Sequence, residues 1–146
     1  YPSPAEEKEM LDTVTAQDSL RLHASAVASL EEIARIKALT NHIYVDDRVR
    51  QYIINLVSAT RRPKDYRLSI EPLIELGASP RASIALFLCA RAEALLCGER
   101  YVVPQMIKDV APDVLRHRIM LTYEAEAQGL DADDLVQLVL QGVEVP

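Results

Sequence analysis

The stretch that most constrains the fold is residues 79–96, "SPRASIALFLCARAEALL". Ser79 suits a helix N-cap, and Pro80 suits the first helical position, where its missing N–H costs nothing. Behind them Ala82, Ala85, Ala90, Ala92 and Ala94 alternate with Ile84, Leu86, Phe87, Leu88, Leu95 and Leu96. A helix apolar nearly all round is expected to be a buried, central one with close neighbours. Arg81 then falls in the first turn, where the positive end of the helix disfavours a cation by roughly 0.3–1 kcal/mol. Two readings of Arg81 stand side by side. Its side chain extends to solvent or pairs with a nearby acid, or it joins the helix N-terminus in facing an anion such as a phosphate.

The rest of the chain is patterned to pack around such a helix. Residues 4–13 read as a short helix with Glu6 and Glu7 in its first turn, and 14–28 as a loop or connector. Ser29 and Glu32 have capping-box spacing, and Leu30, Ile33, Ile36 and Leu39 recur at helical intervals. Asp46 is a candidate N-cap for a helix whose inner stripe is Val49, Tyr52, Ile53, Leu56 and Val57. Pro104 opens another helix, expected to stop or kink near Pro112. Ile119, Leu121 and Tyr123 alternate like a short strand before the pattern turns helical, and Asp131 caps the final helix. The expected class is mainly α, a compact helical bundle with room for one short β pairing. Residues 1–28 read as a connector and 29–146 as the helical domain.

A chain of 146 residues suffices for one domain burying about 68–70% of its unfolded surface. With 16 Lys+Arg against 22 Asp+Glu the net charge is -6, which argues against gripping nucleic acid by bulk electrostatics and leaves room only for a local basic patch. No apolar run reaches the roughly 18 residues of a membrane span, and "YPSPAEEKEM" lacks a signal-peptide pattern. A start at Tyr1 rather than Met is what a piece of a longer protein would show. Cys89 and Cys97, on one expected helix, would lie about 12 Å apart along its axis, too far for a disulfide. Buried free thiols in a reducing cytoplasm are the expectation.

Few residues offer chemistry. Arg61, Arg62, Lys64 and Arg67 form a basic cluster that reads as a solvated loop or as a contact for an acidic partner or nucleic acid. Arg116, His117 and Arg118 form a second. His23, His42 and His117 are scattered without partners at metal-ligand spacing, so no metal site is expected. Asp46, Asp47, Asp131, Asp133 and Asp134 lie at helix starts, where capping accounts for them. Neither a nucleophile–base–orienter set nor a phosphate-cradling G-x-x-x-x-G-K-[ST] loop occurs.

Several segments together carry a family resemblance. "LGASPRA" followed by an alanine-rich helix resembles the C-terminal part of the MoxR family of AAA+ ATPases. "YPSPAEEKEML" is similar to the segment leaving that family's ATPase core, and "IYVDDRVRQYIINLVSATR" to its stretch ending in Ala-Thr-Arg. "GERYVVPQMIKDVAPDVLRHRI" resembles its G-R-x-Y-V-x-P segment and "VLRHR" continuation, with Gln105 where an acid is usual. The order is kept over nearly the whole of 1–146.

The resemblance implies a helical lid that follows a nucleotide-binding core. Gly77-Ala78-Ser79-Pro80-Arg81 would be the sensor-2 motif, with Arg81 contacting phosphates as a catalytic and nucleotide-binding residue. Tyr1, Pro2 and Pro4 would lie at the core–lid junction near the base. It further implies ATP and Mg2+ in the full-length protein, with the magnesium ligands in the core, and a cytoplasmic, chaperone-like ATPase. The implied partners are the protein's own core, neighbouring subunits of a ring, expected to be a hexamer, and a von Willebrand A domain protein. By itself the chain is expected to lack ATPase activity. The rival expectations are a free-standing helical protein-interaction module and a nucleic-acid-binding helical domain.

Overall fold

In a computed structural model the protein is described over residues 2–15 and 25–146. It divides into two compact units, Tyr1–Ala34 and Arg35–Pro146.

In the first unit, helix α1 (Pro4–Thr15) begins with a capping box. The Ser3 amide donates to Glu6 Oε2 at 2.7 Å, and the Glu6 amide donates to Ser3 Oγ at 3.5 Å. The Ser3 hydroxyl also donates to Glu6 Oε2 at 2.7 Å, and this bond together with that from the Ser3 amide holds the Glu6 carboxyl below its ordinary range. The helix runs two residues past the expected end, so Val14 and Thr15 are helical rather than loop. Of the rest of the expected connector, residues 16–24, His23 among them, lie outside the described residues, and 25–28 are exposed and form no helix or strand. Helix α2 (Leu30–Leu39) has the anticipated box, with the Ser29 amide 2.7 Å from Glu32 Oε2 and the Glu32 amide 3.2 Å from Ser29 Oγ. Its stripe of Leu30, Ile33, Ile36 and Leu39 is exposed.

The second unit is built on helix α3 (Asp47–Arg61), whose first turn is capped by Asp46 accepting from the Arg48 amide at 2.9 Å. Val49, Tyr52, Ile53, Leu56 and Val57 are all buried, as their spacing predicts. Two single-turn 3-10 segments lead into strand β1 (Ile74–Leu76). Helices α4 (Pro80–Leu96) and α5 (Pro104–Leu115) follow, then strand β2 (Met120–Leu121), the short helix α6 (Tyr123–Ala127) and α7 (Ala132–Gly142). Strands β1 and β2 pair antiparallel, Ile74 opposite Leu121, which is the short pairing anticipated around 119–123. A separate parallel bridge joins Tyr44 to Tyr101, with the Tyr44 amide donating to Arg100 O and the Val102 amide to Tyr44 O, both at 2.9 Å. A full capping box starts α7, where Asp131 and Asp134 exchange bonds of 2.9 and 3.0 Å.

Helix α4 packs against α3 and α5, and α7 against α3 and α5. The side chains that meet there are Leu56, Leu86, Ile107, Leu115, Leu135, Val136 and Val139, each removed from solvent. At about 1.5–3 kcal/mol for each large aliphatic side chain withdrawn from water, this cluster dominates the stability of the unit. The fold is thus mainly α with one two-stranded pairing, as expected.

Three expectations need correction. Helix α4 is not buried all round: Ala82, Leu86, Ala90 and Ala94 are buried, but Ile84 is 61% exposed, Leu88 53% and Leu96 80%. The buried residues recur every fourth position, and three of the four are alanines, which let neighbouring helices approach closely. Cys89 and Cys97 lie off that stripe and are exposed, so they are free thiols but not buried ones. Helix α5 continues through Pro112 to Leu115 rather than stopping there. Among the described residues no helix is long and apolar enough to cross a membrane.

Candidate anion site at the start of helix α4

Arg81 stands where its sequence context places it, at the second position of α4 behind Pro80. Ser79 occupies the N-cap position with extended backbone, yet its side chain makes no capping bond. The first turn therefore presents its positive end without a side-chain acceptor, and Arg81, exposed beside it, makes no hydrogen bond or ion pair among the described residues. Of the first reading of Arg81, extension to solvent is what the structure shows and pairing with a neighbouring acid is not. A guanidinium and an uncapped helix start together form a region fitted to an anion with several acceptor oxygens.

The loop leading into Arg81 is anchored at Ala78 by the last turn of α3. The buried Thr60 hydroxyl donates to Val57 O at 2.7 Å and accepts from the Ala78 amide at 2.9 Å. Arg61 Nη1 donates to the Ala78 carbonyl at 2.6 Å and its Nη2 to Ser58 Oγ at 3.5 Å. Both polar groups of the Ala78 backbone are thus taken up by adjacent residues of α3, and Ala78 is fully buried. Gly77 is what allows this approach, because a Cβ there would overlap the Thr60 carbonyl oxygen and come within 2.6 Å of its carbon. These partners were missed in the sequence reading, in which Arg61 belonged to a basic loop and Thr60 had no role. No spacing in the sequence links them to Arg81, although "ATR" and "LGA" both belong to the segments that carry the family resemblance.

The remaining predicted residues divide plainly. Pro2 and Pro4 belong to the first unit, are exposed, and Pro4 opens α1. Tyr1 lies outside the described residues. Within the basic loop, Arg62 pairs with Asp65 at 3.7 Å and Lys64 with Glu71, while Arg67 takes the left-handed conformation at φ 58°. Arg116 is held by Asp113 at 3.2 Å and Asp133 at 3.0 Å, and Arg118 Nε donates to Val114 O at 2.8 Å. Most of these cations already have local partners, which leaves Arg81 as the better placed for an incoming anion. Among the described residues no group of three or more His, Cys, Asp or Glu is arranged to hold a metal ion.

Beside the start of α4 an open groove between α3 and α4 is lined by Arg50, Ile53, Ile54, Ser83, Ile84 and Phe87. The Phe87 ring lies near two guanidinium groups, Arg50 at 5.8 Å and Arg91 at 5.5 Å from its centroid. Each of these contacts contributes a modest attraction.

Comparison with known proteins places the geometry in a family. Residues 67–139, half of the chain and including Arg81, match the profile described as the AAA lid domain. The whole chain aligns with Chaperone MoxR1 of Mycobacterium tuberculosis at 35% identity, covering 38% of that protein. It also aligns throughout with an uncharacterized Bacillus subtilis protein, YeaC, at 34% identity and 43% coverage. Protein MoxR of Methylorubrum extorquens is 32% identical over 84% of the chain and 38% of its own length. The chain therefore spans about two fifths of the length of these relatives. Its fold superposes over its full length on 44% of a crystal structure of a candidate ATPase from Cytophaga hutchinsonii, with a TM-score of 0.87 and 35% identity. A shared profile, alignment of the whole chain with a MoxR-named protein and a matching fold make one conclusion: this chain belongs to the AAA lid domain family and is a lid region of the MoxR type of AAA+ ATPase.

Proposed function

We propose that this chain is the lid of a longer, cytoplasmic, chaperone-like ATPase, and that Arg81 is its sensor-2 arginine. The observation that carries the reading is the unpartnered guanidinium of Arg81 beside the uncapped start of α4, just after a loop fixed to α3. In this reading residues 1–28 connect a nucleotide-binding core to the lid at 29–146, and Tyr1, Pro2 and Pro4 border the base. Neighbouring subunits of a hexameric ring and a von Willebrand A domain protein are the proposed partners.

The mechanism follows from where charge develops. Magnesium held by the core would neutralise part of the phosphate charge. Arg81 would add a fixed cation and several donors to the terminal phosphate, strengthening as charge spreads over its oxygens in phosphoryl transfer to water. Because Arg81 lies in the first turn of a helix and Ala78, just before that helix, is tied to α3, its donors would need little rearrangement at that moment. Loss of the terminal phosphate then removes the anion that offsets the unfavourable cation–dipole pairing and frees the lid to pivot.

The test is steady-state ATP turnover by the full-length protein. Arg81→Ala is expected to lower kcat by about tenfold or more while circular dichroism stays unchanged, in line with loss of one transition-state donor. Turnover equal to wild type would reject the sensor role. The exposed apolar groove favours a second reading, a helical interaction module, which predicts that Arg81→Ala leaves turnover intact while Ile84→Glu abolishes capture of a partner.

A further inference from the structure

We infer that Thr60 and Arg61 are positioning residues for Arg81, locking the end of α3 to the start of α4 so that a pull on the guanidinium moves both helices together. The inference rests on the sensor-2 reading and deepens it. A loop connecting β1 to α4 through Gly77 and Ala78 would ordinarily absorb small displacements, since glycine is the most permissive residue. Here that freedom is removed at two atoms. The Ala78 amide is held by the Thr60 hydroxyl and the Ala78 carbonyl by the Arg61 guanidinium, three residues upstream of Arg81.

The chemistry of the clasp is specific to its residues. The Thr60 hydroxyl acts at once as donor to Val57 O and acceptor from Ala78 N, which a Ser would reproduce and a Val cannot. Arg61 supplies a charge-assisted bond from a planar fork that also reaches Ser58, so a Lys would keep the charge and lose the second contact. Thr60 is 1% and Ala78 0% exposed, which keeps water from competing for the amide bond. Gly77, pressed against the Thr60 carbonyl, completes the contact without contributing a side chain.

Such residues act on the reaction only through Arg81, and that distinguishes them from merely stabilising ones. A double-mutant cycle in the full-length protein reads the difference directly. Thr60→Val is expected to lower kcat about three- to tenfold when Arg81 is present, the equivalent of one hydrogen bond, and less than about twofold in the Arg81→Ala background. Thr60→Ser should restore most of the rate. Arg61→Met, which keeps the aliphatic stem and removes the bond to Ala78 O, provides a second variant should Thr60→Val fail to fold. Hydrogen exchange of the 74–82 segment should rise in both variants and stay low in Thr60→Ser.

Equal losses of kcat in both backgrounds would overturn the positioning role and leave the sensor reading standing. So would an unaffected kcat in Thr60→Val and Arg61→Met while Arg81→Ala is impaired. A silent Arg81→Ala would instead reject the sensor reading and the inference with it.

Discussion

The Thr60 hydroxyl and the Ala78 amide, eighteen positions apart in the chain, meet at 2.9 Å in the interior and join two helices at the base of Arg81. The close approach leaves no room for a side chain on Gly77. Gly77→Ala is expected to destabilise the fold by about 1–3 kcal/mol, as overpacking against backbone does, because a carbonyl cannot move aside as a flexible side chain can. Urea denaturation followed by circular dichroism measures this, and an unchanged midpoint would contradict the geometry.

Arg81→Ala presents the opposite case. The side chain is exposed and has no partner among the described residues, so its removal should shift stability by no more than about 0.5 kcal/mol. Relief of the cation at the positive helix end would make any shift a stabilising one. A loss of more than that, in the same denaturation assay, would show a structural role for the arginine.

The last helix depends on its cap. Asp131 accepts from the Asp134 amide and Asp134 from the Asp131 amide, while the α7 side chains Leu135, Val136 and Val139 fill the core. Asp131→Ala should cost about 1 kcal/mol, and Asp131→Asn considerably less because the amide oxygen still accepts. Equal losses in the two variants would show that charge, not the hydrogen bond, is what matters there.

Acid sensitivity should be read at Asp46. The bond from the Arg48 amide, aided by the Arg48 charge, holds its carboxyl below the ordinary range. A carboxyl depressed in the folded state binds its proton less readily there than in the unfolded chain. Its stabilising contribution is therefore complete above the unfolded pKa and lost as pH falls through the folded one. Asp46→Asn keeps a cap that cannot titrate. Its stability relative to wild type should improve as pH drops through and below the carboxylate range, and parallel pH curves would refute this.

The thiols offer a chemical check on exposure. Both cysteines should react with iodoacetamide in the native protein, Cys97 the slower of the two. Partial desolvation of the sulfur at the protein surface and the neighbouring Glu93, 3.6 Å away, raise its pKa and lower the thiolate fraction near neutrality. Labelling that required denaturant would restore the buried-thiol expectation.

What was legible in the sequence were features that act over one or two helical turns. The Asp46 and Asp131 caps, the Ser29–Glu32 box and the α3 stripe depend only on neighbours two to four residues away, and all stand as read. The Ser3–Glu6 box has the same spacing and was readable, though only its acid was noticed. Helix α4 misled because a helix rich in apolar residues on every side gives no signal of which side its neighbours occupy. Ile84 and Leu88 look as core-like as Leu86 until α3 and α5 are in place. At the candidate site Arg81 could be singled out from the mismatch between its charge and its helix end. Thr60 and Arg61 could not, since no local period links an α3 terminus to a loop beyond two intervening turns and a strand.

The small β1–β2 pairing bears on the order in which the chain folds. Joining Ile74 to Leu121 closes a loop that contains α4 and α5 entire. Closing a flexible loop grows costlier with its length, by about 0.6 kcal/mol per doubling. Docking α4 onto α5, which are adjacent in sequence, shortens the free chain to be closed before the strands meet. The helical hairpin is therefore expected to lead and the strands to follow. On that order, weakening the strand pairing would hasten unfolding while leaving the refolding rate nearly unchanged.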